Sequence, residues 1–207
     1  MDAEAHRLFD RWVIVPFSAL RQLPNGDGAF AALAIAFGLY ERYIISQIHK
    51  RGGSADAKER NNEASMDFGG AVSPEDFESF WDMYRVGVQH YFHPKHFTKG
   101  KDKTRWCWDI SENKGYTGHP KVIQTEADLF IITIDPWLFV EHTLNRWYQH
   151  PELMNELSAT TFGRIQERHD APRPVPPAPV HSILQATGTG DAIFSQTGGT
   201  GICPPKP

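Results

Sequence analysis

Ser73-Pro-Glu-Asp-Phe-Glu-Ser-Phe-Trp-Asp-Met-Tyr-Arg-Val-Gly-Val-Gln-His90 carries a helix start, a buried face and a candidate site in one run. Ser73 offers the side-chain oxygen an N-cap needs, and Pro74 fits the first helical position. Glu75 and Asp76 place negative charge at the positive end of the helix dipole. Phe77, Phe80, Trp81, Tyr84 and Val88 then recur as one apolar stripe. Pro94 disfavours helical geometry at His93, so the helix is predicted to end near His90 to Phe92.

Upstream, Phe30, Leu33, Phe37, Tyr40, Ile44 and Ile48 predict a helix over 27–50, opened by Asn25-Gly-Asp-Gly28 and closed by Arg51-Gly-Gly53. Ala31, Ala32, Ala34 and Ala36 let a neighbouring backbone approach. Residues 52–72, rich in Gly, Ser, Asn and Asp, read as an exposed loop. Downstream, Trp106, Trp108 and Ile110 alternate with Arg105, Cys107 and Asp109, which predicts a strand with one buried face; Phe130 to Ile134 is a second β-rich run. Asp135-Pro136 starts another helix through Trp147 or Tyr148, and Pro151-Glu152 opens a further one to about Arg168. The fold class is therefore mainly α: a helical bundle with a small β-hairpin insertion at about 104–135, in a domain spanning 1–170. Residues 171–207 hold more than half of the 15 prolines, with Gly-rich runs, and are expected to form a disordered tail.

The 207 residues, 40% of them hydrophobic, suffice for one domain with its own core. A net charge of −4 advertises neither nucleic acid nor membrane globally, so any anion site must be a local patch. No apolar run is expected to approach the roughly 18 residues of a bilayer span, and Met1 to His6 lacks a signal-peptide pattern. Two cysteines, Cys107 and Cys203, are too few for a disulfide framework or a cysteine zinc site. The expectation is a cytoplasmic protein with no membrane partner.

The chemistry centres on Arg85 and His90. Arg offers a planar fork for phosphate oxygens, and histidine, with an unperturbed pKa of about 6.5, is suited to general-base work. On an ideal α-helix a five-residue separation puts them about 140° apart. They converge if the helix loosens after Gly87 or if two protomers pair. The same residues also fit a surface salt bridge and an ordinary helix-end histidine.

The stretch Tyr84-Arg-Val-Gly-Val-Gln-His-Tyr-Phe-His-Pro94 resembles the hallmark of the HEPN superfamily, an Arg followed four to six residues later by His near a helix end. The element order over residues 27–168 is also similar: a long first helix containing Leu39-Tyr-Glu-Arg-Tyr43, the motif helix, a small β insertion and a helix opened by Asp135-Pro136. The resemblance implies a metal-independent endoribonuclease or RNA-binding domain with Arg85 and His90 as catalytic residues. It further implies a homodimer with a composite cleft, RNA as substrate, no cofactor, and a defence or toxin setting with an antitoxin or other defence protein as partner. Val86 departs from the pattern, because most catalytic members carry Asn, Asp or His there. A catalytically silent dimerisation, nucleotide-binding or protein-binding module is the alternative.

Downstream of His90 lies a basic patch, Lys95, Lys99, Lys101, Lys103 and Arg105, with Asp102 opposing and Phe97, Trp106 and Trp108 interleaved. Cations among aromatics suit single-stranded RNA. These cations, with Gln89 and His93, are the candidate RNA contacts; the tryptophans are expected to belong to the core. His90-x2-His93-x2-His96 invites a metal, but Pro94 interrupts the helix that would align the three and no acid completes the set. No metal is expected there. Glu41-Arg42 reads as a polar pair on a helix rim.

Overall fold

The computed structural model of the chain describes residues 3–91, 93–100, 103–110 and 118–157. The tail from 171, the helical continuation toward Arg168, Lys101, Asp102 and Cys203 lie outside them.

The chain begins with a helical arm that the polar N-terminus did not announce. α1 (Ala3–Phe9) passes through a π-helical turn (Asp10–Ile14) into α2 (Val15–Arg21). Ala5, Phe9, Val13 and Phe17 enter the core, and Phe9 stacks on Trp147 at 5.3 Å between ring centroids. α3 (Ala29–Lys50) follows and forms the centre of the fold. Leu33, Phe37, Tyr40, Ile44 and Ile48 are each 2% exposed or less, and the fully buried Ala32 and Ala36 leave room for close packing. By length and composition alone α3 is apolar enough to cross a bilayer, contrary to the sequence expectation. Glu41 and Arg42 interrupt the run without lowering its average far. Here α3 is a core helix packed along α7 (Pro136–Gln149).

The expected loop over 52–72 holds a helix in its middle. Residues 57–67 form α4 (Ala57–Asp67), capped by the Asp56 carboxylate accepting from Glu59 N–H at 2.9 Å. Apolar periodicity missed α4 because its inner face is polar. Asn61 and Glu63 are buried, and Glu63 pairs with Arg51. The legible signal was the Asp-x-x-Glu start.

Asp67, at the end of α4, ties three helices together. Its side chain is 3% exposed. Oδ2 accepts from the Tyr40 hydroxyl at 2.9 Å and from His142 Nε2 at 2.7 Å; Oδ1 accepts from the Tyr43 hydroxyl at 2.9 Å. Arg146 Nε lies 2.7 Å from Oδ1 but off the hydrogen-bond axis, so this contact is an ion pair. Arg146 Nη2 donates to the Asp67 carbonyl at 3.1 Å. Burial works to raise the carboxyl pKa, but the His142 hydrogen bond and the charges of His142 and Arg146 together hold it below the usual value.

α5 (Pro74–Phe80) starts at Ser73, whose Oγ accepts from Asp76 N–H at 3.1 Å. It runs through a π-helical turn (Trp81–Val86) into α6 (Gly87–Tyr91). The β region is larger than a hairpin. β1 (Phe97–Lys99), β2 (Thr104–Ile110), β3 (Lys121–Glu126) and β4 (Leu129–Ile134) form one sheet in the order β1-β2-β4-β3. β1 pairs antiparallel with β2 and β3 with β4, while β4 pairs in parallel with β2. Trp106, Trp108 and Ile110 share the core-facing side with Ile132 and Ile134, and Phe97, Trp106 and Phe130 stack across three strands. Cys107, on the opposite face, is fully buried too. α8 (Pro151–Leu157) ends the described chain, with Glu152 paired to Lys50 of α3. The molecule is mainly α with a small mixed sheet.

Candidate functional site

Arg85 lies inside the π-helical turn, not on a regular α-helix. A π turn acts as one extra residue in a helix, so the face after it is rotated by about 100° relative to the face before. The 140° separation of an ideal helix therefore does not describe Arg85 and His90. Tyr84, one residue earlier, anchors the turn to the sheet: its hydroxyl lies 2.6 Å from the Asp109 carbonyl and 2.8 Å from that of Ile132. Burial pushes its pKa well up, so it stays protonated and donates.

Gly87 determines how the chain leaves the helix. A Cβ on Gly87 would lie 2.7 Å from the His93 carbonyl oxygen and from Lys95 N, and 2.8 Å from Pro94 Cα. The segment after α6 thus folds back over Gly87, fastened by Lys95 N–H to the Met83 carbonyl at 3.0 Å, with Pro94 buried beneath. The Gly between Arg85 and His90 and the Pro that follows His90 come together in space, and only glycine leaves the room. Gly87→Ala is expected to cost about 1–3 kcal/mol through overpacking. Urea titration checks this, and a loss below about 0.5 kcal/mol would show that the fold-back yields easily.

The Arg85 side chain is 26% exposed, and its Nη2 donates to Glu41 Oε2 at 3.1 Å. Its guanidinium carbon lies 5.7 Å from the Trp81 ring centroid. Glu41 is therefore the partner of Arg85 across from α3. Arg60 of α4 stands over the same indole, 5.0 Å from the ring centroid. Sequence patterning missed Arg60 because it lies within the supposed loop. Gln89 and His90 are exposed on α6.

The structure spreads the remaining candidate residues over several ion pairs. Lys95 meets Asp82 at 3.0 Å and Lys99 meets Glu78 at 2.8 Å. Arg105 pairs with Glu126 at 2.7 Å and Asp128 at 3.4 Å. These acids come from elements distant in sequence, so the patch is less basic than its local sequence. Lys103 is exposed, with φ of 52°. His93 Nδ1 lies 2.7 Å from the Pro94 carbonyl. His96 stacks on Trp108 at 5.8 Å, and burial, then the nearby His93, lowers its pKa. Among the described residues, no three of His, Cys, Asp or Glu form a metal-binding group.

No family model, curated protein or solved structure matches this chain.

Proposed function

We propose that this chain is a HEPN-like domain that binds RNA and cleaves it without metal, acting as a cytoplasmic homodimer in a defence or toxin setting. The observation that carries the reading is the setting of the Arg–His pair. Arg85 is preset by Glu41 and Trp81 yet a quarter exposed, and His90 is exposed on the short helix that follows. In the proposed reaction His90 takes the proton of a ribose 2′-hydroxyl, whose oxygen attacks the neighbouring phosphorus. Arg85 stabilises the charge that builds on the phosphate oxygens. The 5′-oxygen leaves and takes a proton from solvent, giving a 2′,3′-cyclic phosphate and a 5′-hydroxyl. A composite cleft between two protomers would bring each Arg85 to the partner site.

The test is incubation of the purified chain with total RNA, with and without EDTA, followed by analysis of the new ends. Cleavage that survives EDTA and leaves 2′,3′-cyclic phosphates is expected. Activity that vanishes with EDTA and returns with zinc would overturn the mechanism and point to His90, His93 and His96. A catalytically silent module for dimerisation, or for binding a nucleotide or protein, is the second reading. Val86 and the neutralised Lys95, Lys99 and Arg105 favour it. A stable dimer that cleaves no RNA would select it.

A further inference from the structure

Arg60 bears a charge with no carboxylate of its own. Its guanidinium makes no hydrogen bond or ion pair with any described side chain, although the residue is half-buried against Trp81. The Nε of Arg60 and that of Arg85 are both closed to solvent and lack a hydrogen-bond partner. Arg105 and Arg146 also have such an Nε, but there a carboxylate lies at 3.4 Å and 2.7 Å. Two carboxylates act on Arg60, those of Glu41 and Glu78, and both are committed elsewhere. Glu41 pairs with Arg85 at 3.1 Å and Glu78 with Lys99 at 2.8 Å. Burial lowers the Arg60 pKa, the expected sign for a cation taken partly out of water without an anion beside it. An unpaired, partly desolvated guanidinium is costly to hold, and a bound anion offsets that cost.

We propose that Arg60 and Arg85 together form a seat for a phosphate group, with Trp81 as its platform and Glu41 as the resident counter-charge. The two guanidiniums supply more N–H donors than the Glu41 carboxylate can use, in the planar forks that match phosphate oxygens. Two cations against one carboxylate leave one net positive charge, which suits the single negative charge of a phosphodiester. Trp81 is 5% exposed, so it supports the guanidiniums and does not offer a stacking face for a base. Only the identity of the ligand as RNA rests on the proposed function. The seat itself rests on Arg60, Arg85 and Glu41.

The test is a titration of the full chain with inorganic phosphate at constant ionic strength, followed by NMR of the arginine Nε–H and tryptophan indole signals. Saturable shifts at Arg60 and Arg85 are expected, and Arg60→Gln should weaken the affinity about tenfold or more. Arg60→Lys, which keeps the charge but not the fork, should fall between, and it replaces the glutamine variant if circular dichroism shows that one unfolded. Equal affinity in wild type and the Arg60 variant, or the same shifts with chloride, would overturn the seat. Phosphate binding through Arg60 in a chain that cleaves no RNA would keep the seat and remove the nuclease. Undiminished RNA binding and cleavage in Arg60→Gln would do the reverse.

Discussion

Asp67→Ala is expected to destabilise the fold by about 3–5 kcal/mol, the cost of removing one partner from a buried charged pair. The substitution leaves the Tyr40 and Tyr43 hydroxyls, His142 Nε2 and Arg146 without their shared acceptor. Three helices, α3, α4 and α7, meet at that carboxylate. In a chain of this length the midpoint should fall by about 6–20 °C, read by thermal unfolding. Asp67→Asn keeps an acceptor oxygen but loses the charge, and should fall between. The effect has a pH signature. Asp67 has a folded-state pKa below its unfolded value, so its contribution is fully present above the unfolded value of about 3.9. The contribution is lost as pH falls through the folded value. The gap between wild type and Asp67→Ala should therefore narrow in acid, as the carboxylate that His142 and Arg146 stabilise is protonated. A loss below about 1 kcal/mol at pH 7 would mean that water replaces the carboxylate cheaply.

His90→Ala should lower single-turnover cleavage of a labelled oligonucleotide by about 10²–10⁴-fold, the range of a general base. Binding of the uncleaved RNA should change little, because a neutral imidazole adds little to phosphate affinity. Arg85→Ala should instead reduce both, since it removes a fixed charge and releases Glu41 toward the phosphate. Mixing the two inactive variants should restore part of the activity when the cleft is composite. Full cleavage by His90→Ala would remove that residue as the base. Parallel losses in binding for both variants would mean that His90 only holds the substrate.

Apolar periodicity made α3, α5 and α7 legible because each puts a continuous hydrophobic stripe on the core. α4 lacks such a stripe, and its inner residues are satisfied by Tyr40, Tyr43, His142 and Arg51 from elsewhere in the chain. Those partners are invisible to a local window. The strands around Trp106 and Ile132 were legible by alternation and composition, but their pairing order was not, since a parallel neighbour carries no turn signal. At the site, the Arg85–His90 spacing could be read directly. The Glu41 contact, the π turn and Arg60 could not, because each depends on which helix faces which. The lysines show the converse limit: a sequence window counts near charges and misses Glu78 and Asp82, which neutralise them.

The strand order has a kinetic consequence. β3 and β4 are joined by a two-residue turn and pair locally, whereas Arg105 of β2 meets Leu129 of β4 across 24 positions of chain. Closing the short loop costs less entropy, so the hairpin is the natural nucleus and β2 docks onto it later. In a mutant series, substitutions at the β3–β4 contact such as Val122→Ala should slow folding, and those at the β2–β4 contact should mainly speed unfolding. Because Tyr84 bonds the carbonyls of Asp109 and Ile132, one on each side of that late seam, the Arg85 turn gains its anchor only when the last pair of strands has zipped.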